Sequence, residues 1–508
     1  MAGMEIDTDT GLVVRDPPNP WPFGLSSVAD ILDIGIGSRP NEAALVDGAR
    51  SWTYTQLDTV VGAAARSLGS RGLGVGDRIV WSLPNSAELV IGFLATCRLG
   101  AIWAGVNPGS SPAEQAAVIA NLEPALSVGT STSEAASIDD IVTEWGDGER
   151  RDGDWPNPVS IDPHAPAAVA YTSGTTGEPK GAVHSQHNLL SQAAASIVSD
   201  PRLAGEKHGS PLSLTILNIM VLGPITAFAR AASYHVLSST RSGDFAGDVE
   251  KAQVTHTLVV PTMIHDLVER VDVAPEQLQT LRTVLIGGSN APAGLRRRFV
   301  ERFGVRAATS YGLSEAPGGV VREPTDQPVR TDGVGIAQPH VDISIDHESG
   351  DEICVSPTKQ GPLAGSWSPM LGYWRRPAAT AHALRDGFLR SGDVGTMAEH
   401  GWLTVTGRLS QVIIRGGANV MPAEVERALS THADVLDAAV FGLEDERLGE
   451  RVVAAVVMSG SADVAALRRH CSDNLAAYKI PDAIVIVDAL PRNAMGKVDL
   501  PHLRELAR

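Results

Sequence analysis

Short apolar strands alternate with helical stretches through much of the chain, and this alternation limits the fold more than any other feature. Arg78 to Leu83 reads as a strand, Ser86 to Leu99 has helical periodicity, and Ala101 to Val106 is a second strand stopped by Asn107, Pro108 and Gly109. The rhythm returns at Thr257 to Val260, stopped by Pro261. A helix over Met263 to Val271 comes next, then a strand over Val284 to Ile286 that ends at Gly287 and Gly288. Strand–helix–strand succession produces parallel strands with helices on their faces. The predicted class is α/β. The last hundred residues break the rhythm. A helix over Pro422 to Leu429 opens with proline at its first position. Strands at Leu436 to Phe441, Val452 to Met458 and Ala483 to Val487 surround a helix over Val464 to Leu475. That pattern predicts a small α+β domain with its own core, with a boundary near Gly407 to Gln411.

With 508 residues, the chain exceeds what one core normally organises. Its formal net charge is −18, which disfavours nucleic acid and anionic membrane as partners. If its substrates are anions, cations must be concentrated at the site. The three cysteines, Cys97, Cys354 and Cys471, are scattered and odd in number, so neither a disulfide framework nor a metal motif is predicted. Reduced thiols fit a cytoplasmic protein. Met1 to Pro20 lacks the apolar segment of a secretory signal. Ser213 to Phe228 is apolar but shorter than a span, and Asn218, Gly223 and Pro224 interrupt it. It is expected to be a buried helix or pocket wall, so no membrane span is expected. Glu144 to Pro163, rich in Gly, Asp, Arg and Pro, is the predicted linker.

The strongest local signal runs from Tyr171 to Gly181, YTSGTTGEPKG. An apolar strand, Ala167 to Tyr171, enters a loop with glycines at 174 and 177. Their backbone N–H groups and the hydroxyls of Thr172, Ser173, Thr175 and Thr176 can donate to phosphate oxygens. Lys180 adds a point charge. A P-loop would need Ser or Thr after the lysine to hold Mg2+. Gly181 stands there, and the glycine spacing differs, so that motif is excluded.

Residues 171–181 resemble the signature loop of the adenylate-forming superfamily, in its AMP-forming acyl-CoA and aryl-CoA synthetase branch. Further motifs appear in that family's order: Gly287-Gly288-Ser289, Tyr311-Gly312-Leu313-Ser314-Glu315, Ser391-Gly392-Asp393, Gly407-Arg408, and Pro491 to Lys497. The resemblance covers roughly residues 25–500. It implies a large adenylation domain, 1–407, binding ATP and the acid, with parallel-rich sheets and flanking helices. It also implies a small, mobile C-terminal domain, 408–508, carrying a catalytic lysine, with a hinge near 408–411. The implied reaction joins a carboxylic acid to CoA through an acyl adenylate. ATP, Mg2+ and CoA are the implied small molecules, and the sequence leaves a homodimer open.

In roles implied by the resemblance, Glu315 holds Mg2+ and Tyr311 lies against the adenine. Gly288, Ser289, Gly312 and Ser314 line the nucleotide, with Ser314 in place of the family's usual Thr. Asp393 accepts from both ribose hydroxyls, and Arg408 reaches ribose or phosphate. Lys497 bridges the acid carboxylate and the α-phosphate, and Thr172 is also implied as catalytic. Two positions depart from the family pattern. Ser410 occupies the hinge position usually held by Asp or Lys, and Val498 to Pro501 lack the Arg that usually comes after the lysine. Arg415 to Glu424 resembles the turn lining the pantetheine tunnel, where Gly416 and Gly417 let a thin arm pass. A structural glycine turn explains the same letters. The acid pocket is expected at Leu214, Leu217, Asn218, Gly287 and Gly312. Its apolar wall suits a small-to-medium aliphatic or aromatic acid. No carrier-protein segment is recognisable, which favours a stand-alone ligase. An enzyme that loads a separate carrier protein or another acceptor is the alternative.

Overall fold

The structure is a computed structural model and describes residues 5–131, 136–142, 145, 161–172, 179–201, 205–270, 272–288, 291, 293–330, 333–459, 463–492 and 498–507. Most of the expected 144–163 linker lies outside them. The chain compacts into two units, Met1–Ile343 with Val355–Arg390, and Ser344–Cys354 with Ser391–Arg508.

Two sheets organise the first unit. The six-stranded sheet is parallel through Leu126–Val128, Arg78–Trp81, Ile102–Gly105 and Pro166–Thr172. Two antiparallel strands, Lys180–Ser185 and Gly372–Tyr373, extend it. The nine-stranded sheet has a parallel centre running from Ala43–Asp47 through Ser233–Val236, Lys207–Ser210, His256–Val259 and Thr283–Ile286 to Ala307–Leu313. The α/β expectation holds. Element edges shift by a few residues. The helix expected from Met263 instead spans Pro261–Glu269, because Pro261 fits the first helical position, where no N–H is needed.

Local chemistry sets the helix ends. Ser86 caps Ala87–Arg98 by accepting from the Leu89 N–H at 3.3 Å, with Glu88 and Arg98 matched to the dipole. Thr53 and Gln56 form a reciprocal capping box before Tyr54–Ser70. Val259, Val284, Ile286 and Ala307 from the larger sheet pack against Met263, Ile264, Leu267, Phe299 and Phe303 from its helices. The Ser213 to Phe228 stretch is a buried wall, as expected. Helical turns Leu217–Met220 and Thr226–Ala229 flank a wider turn, Val221–Ile225, that accommodates Pro224. Among the described residues, no helix is long and apolar enough to cross a membrane. All three cysteines are buried.

The second unit is α+β. A mostly antiparallel sheet joins Ala418–Val420, Ile413–Arg415, Gly449–Met458 and Val435–Asp445, and Ala483–Ile486 adds in parallel. Ile413, Val440, Val452 and Val456 meet Val425, Leu429, Leu467 and Cys471 from its helices, Pro422–Ser430 and Val464–Asn474. A further antiparallel pair joins Phe388–Met397 to Leu403–Arg408.

Candidate active site

Parallel sheets present ligands at the carboxyl ends of their strands, and three such ends in the first unit carry the sequence motifs. Pro166–Thr172 leads into the loop at 173–178, whose Ser173, Gly174, Thr175, Thr176 and Gly177 lie outside the described residues, as does the Thr172 side chain. On the far side of the loop, Lys180 pairs directly with Thr172 in an antiparallel register. The loop therefore joins two strands rather than opening a helix, which agrees with excluding a P-loop.

Thr283–Ile286 ends at Gly287 and Gly288. Gly288 has φ +88°, a backbone region open to glycine and strained for other residues. Ser289 lies outside the described residues. Ala307–Leu313 turns through Ser314 and Glu315 into Ala316–Arg322. At Gly312 a Cβ would stand 2.2 Å from the Gly318 carbonyl oxygen, so the hairpin itself demands glycine.

One residue missed by sequence reasoning links these elements. The Tyr373 hydroxyl donates to Glu315 Oε1 at 2.5 Å, and Lys180 Nζ sits 5.9 Å from the centre of the Tyr373 ring. Backbone bonds fix the arrangement: Met370 N–H to the Glu315 carbonyl at 3.0 Å, Leu371 N–H to Val183 at 2.7 Å, and Trp374 N–H to Gly181 at 2.8 Å. The strand carrying Tyr373 thus ties the smaller sheet, with Lys180, to the Tyr311–Glu315 turn. No local sequence pattern marks a single tyrosine in a two-residue strand.

His184 supports the same turn. Burial pushes its imidazole down to about 4, so it is neutral near pH 7. Nε2 must then carry the hydrogen it donates to the Ser314 carbonyl at 2.7 Å. Asn218 reaches the Leu313 carbonyl through Nδ2 at 3.5 Å. Leu214 and Leu217 beside it are buried, and the Asn85 side chain accepts from the Leu214 N–H at 2.8 Å.

Within the second unit, two motif residues prove to be partners. Asp393 and Arg408 face each other in the antiparallel register, and Arg408 Nε lies 2.7 Å from Asp393 Oδ1. The Asp393 side chain is 6% exposed and that of Arg408 is 50% exposed. Gly392 has φ +71°, and its N–H donates to Glu352 at 2.9 Å. Ser410 is exposed in the short turn Leu409–Gln411. Gly416 and Gly417, both with positive φ, form a two-residue hairpin turn between Arg415 and Ala418. Lys497 lies outside the described residues.

Glu315 is an oxygen donor of the kind Mg2+ accepts. Another cluster, Glu206, His208 and His256, brings ligand-type atoms within 4.8 Å of one another. However, Arg230 donates to both Glu206 oxygens, at 2.5 and 2.7 Å, and the imidazoles stack with their planes 9° apart. An ion lies in the plane of each ring that binds it, and stacked parallel planes cannot share one. We read this cluster as a buried ion pair bordered by imidazoles.

Residues 35–374 match the AMP-binding enzyme family, and residues 424–497 match the AMP-binding enzyme C-terminal domain. Indoleacetate–CoA ligase of Aromatoleum aromaticum is 30% identical over 506 residues, covering 94% of this chain and 98% of that protein. Feruloyl-CoA synthase of an Amycolatopsis species is 30% identical, over 90% of this chain and 94% of that protein. ATP-bound MatB from Rhodopseudomonas palustris has the same fold, with TM-score 0.82 and 26% identity over 94% of this chain and 98% of that one. With the larger family match spanning well over half its length and the smaller one falling in its second unit, the chain belongs to the AMP-binding enzyme family.

Proposed function

We propose that the chain is an AMP-forming carboxylic acid:CoA ligase for a small-to-medium aliphatic or aromatic acid, acting in the cytoplasm. The observation that carries this reading is the Lys180–Tyr373–Glu315 arrangement beside the 173–178 loop. It sets a cation able to meet phosphate and a carboxylate able to hold a divalent cation around one tyrosine. In a chain of net charge −18, that local pairing suits an anionic nucleotide. The indoleacetate and feruloyl relatives are both named for joining CoA to an acid that bears a ring, which supports CoA as acceptor and a ring-sized acid.

In the first step, an acid oxygen bonds to the α-phosphorus of ATP as the bond to pyrophosphate breaks. In the second, the CoA sulfur gives up its proton and bonds to the acyl carbon while AMP departs. Lys180, Thr172 and the loop glycines and hydroxyls cradle phosphate, and Tyr311 stacks on adenine beside Gly288, Ser289, Gly312 and Ser314. Asp393 accepts from ribose, with Arg408 next to it. Lys497 neutralises the meeting anions, Ser410 is the hinge, and Gly416–Gly417 pass the pantetheine arm. Glu315 would hold Mg2+, which supplies charge neutralisation at the triphosphate when bound.

The test is product analysis with ATP, an acid panel, and either CoA or a phosphopantetheinyl carrier protein. Acyl-CoA and AMP in equal amounts are expected, and thioester on the carrier alone would reassign the acceptor. A variant probes the tyrosine. Tyr373→Phe removes a charge-assisted hydrogen bond, so about a tenfold fall in kcat and a higher Mg2+ requirement are expected. An unchanged Mg2+ titration would show that Tyr373 does not orient Glu315.

A further inference from the structure

One short segment holds Glu315 at two points. Its side chain receives the Tyr373 hydroxyl at 2.5 Å, and its carbonyl receives the Met370 N–H at 3.0 Å. The peptide group that supplies this N–H is also held from its other side. Its carbonyl, that of Pro369, accepts from Arg15 Nη2 at 2.5 Å and from Asn188 Nδ2 at 3.0 Å. Arg15 Nη2 also lies 3.2 Å from the Met370 carbonyl. A cation at the oxygen of a peptide group polarises it and makes its N–H a stronger donor. Arg15 thus reaches Glu315 through a single peptide group. The chain leading to Arg15 grips the rest of the segment. The Val13 N–H donates to the Leu371 carbonyl at 2.7 Å, Leu12 and Gly372 form an antiparallel bridge, and the Arg375 N–H donates to the Thr10 carbonyl at 2.6 Å. At Gly11 a Cβ would stand 2.5 Å from the Tyr373 carbonyl oxygen, so only glycine lets the two segments approach this closely.

Burial brings Arg15 down to about 10, and no carboxylate among the described residues offsets that cost. It remains a cation near pH 7. A buried cation bonded to carbonyls alone costs stability, and here those carbonyls belong to the segment that holds Glu315. Resting on the reading of this site as a ligase with Mg2+ on Glu315, we infer that Arg15 is a positioning residue for Glu315, fixing through the 369–370 peptide the carboxylate that holds the divalent cation. Residues 10–15 are then a strap that keeps Met370 and Tyr373 on Glu315, although Arg15 lies 354 residues from Pro369 in the chain.

The experiment titrates Mg2+ into the full chain with ATP and a panel of aliphatic and aromatic acids, and reads acid-dependent pyrophosphate release. Arg15→Met should raise the Mg2+ concentration for half-maximal rate about 3- to 10-fold, with KM for the acid held within about twofold. Arg15→Lys, which keeps the cation, should recover most of that rise. In a Tyr373→Phe background, Arg15→Met should add less than about a twofold change, because both contacts act on one carboxylate. An unchanged Mg2+ titration, effects that multiply in the double variant, or an equal rise in KM for the acid overturns the inference and leaves the ligase reading standing. No acid-dependent pyrophosphate release from the wild type with any acid overturns both. Should Arg15→Met fail to fold, Arg15→Gln, which keeps an N–H donor without the charge, is read by the same criteria.

Discussion

Lys497→Ala is expected to lower acid-dependent pyrophosphate release by about 100- to 1,000-fold, while thioester formation from supplied acyl adenylate continues. The asymmetry comes from the charges. Adenylation brings a carboxylate against a phosphate, and a preorganised cation between them acts where charge crowds most in the transition state. Thioester formation starts from an adenylate whose acyl group is no longer an anion, so it needs that cation far less. Separate assays of the two half-reactions measure this split. Equal loss in both halves would indicate a structural role for Lys497. No loss in either would remove it from the mechanism.

Acid is expected to unfold the first unit well above the range where carboxylates alone would do so. Burial holds the imidazoles of His184, His187, His235 and His256 down at about 4, against an ordinary value of 6.5. The unfolded chain therefore binds more protons than the folded one between about pH 6.5 and 4. These histidines contribute stability that is fully present above 6.5 and lost as pH falls through that window. At about 1.4 kcal/mol per pKa unit, each contributes on the order of 3 kcal/mol. Two or three together rival the whole stability of a typical domain. Thermal unfolding monitored by circular dichroism from pH 7.5 to 4.5 should show Tm falling steeply below about pH 6. A flat Tm down to pH 5 would mean that the folded protein accepts these protons without losing its packing.

The fold was legible because its signals are local. Apolar runs bounded by glycine and proline marked the strands, and Pro422 marked a helix start, while Pro261, read as the end of a strand, opens a helix in the structure. Glu315 falls in the turn between Ala307–Leu313 and Ala316–Arg322, while Asp393 lies within the strand Phe388–Met397. The contacts that stayed hidden are long-range. Tyr373 meets Glu315 across 58 residues, and the strand that carries it is two residues long. Asp393 and Arg408 belong to separate motifs, yet face each other because a hairpin joins them. Residues 344–354 compact with the C-terminal stretch rather than with their neighbours, a preference that arises from packing and leaves no periodic trace. Gly416 and Gly417 admit two readings in sequence. The hairpin accounts for their φ values, and their part in passing CoA belongs to the proposal.

The decisive measurement is the return of labelled pyrophosphate into ATP, with Mg2+ and a small-to-medium aliphatic or aromatic acid present and CoA absent. Exchange that appears only when the acid is added, and drains into AMP and acyl-CoA once CoA is supplied, is the predicted result. ATP cleaved to ADP, or exchange indifferent to the acid, would contradict an acyl adenylate as the intermediate.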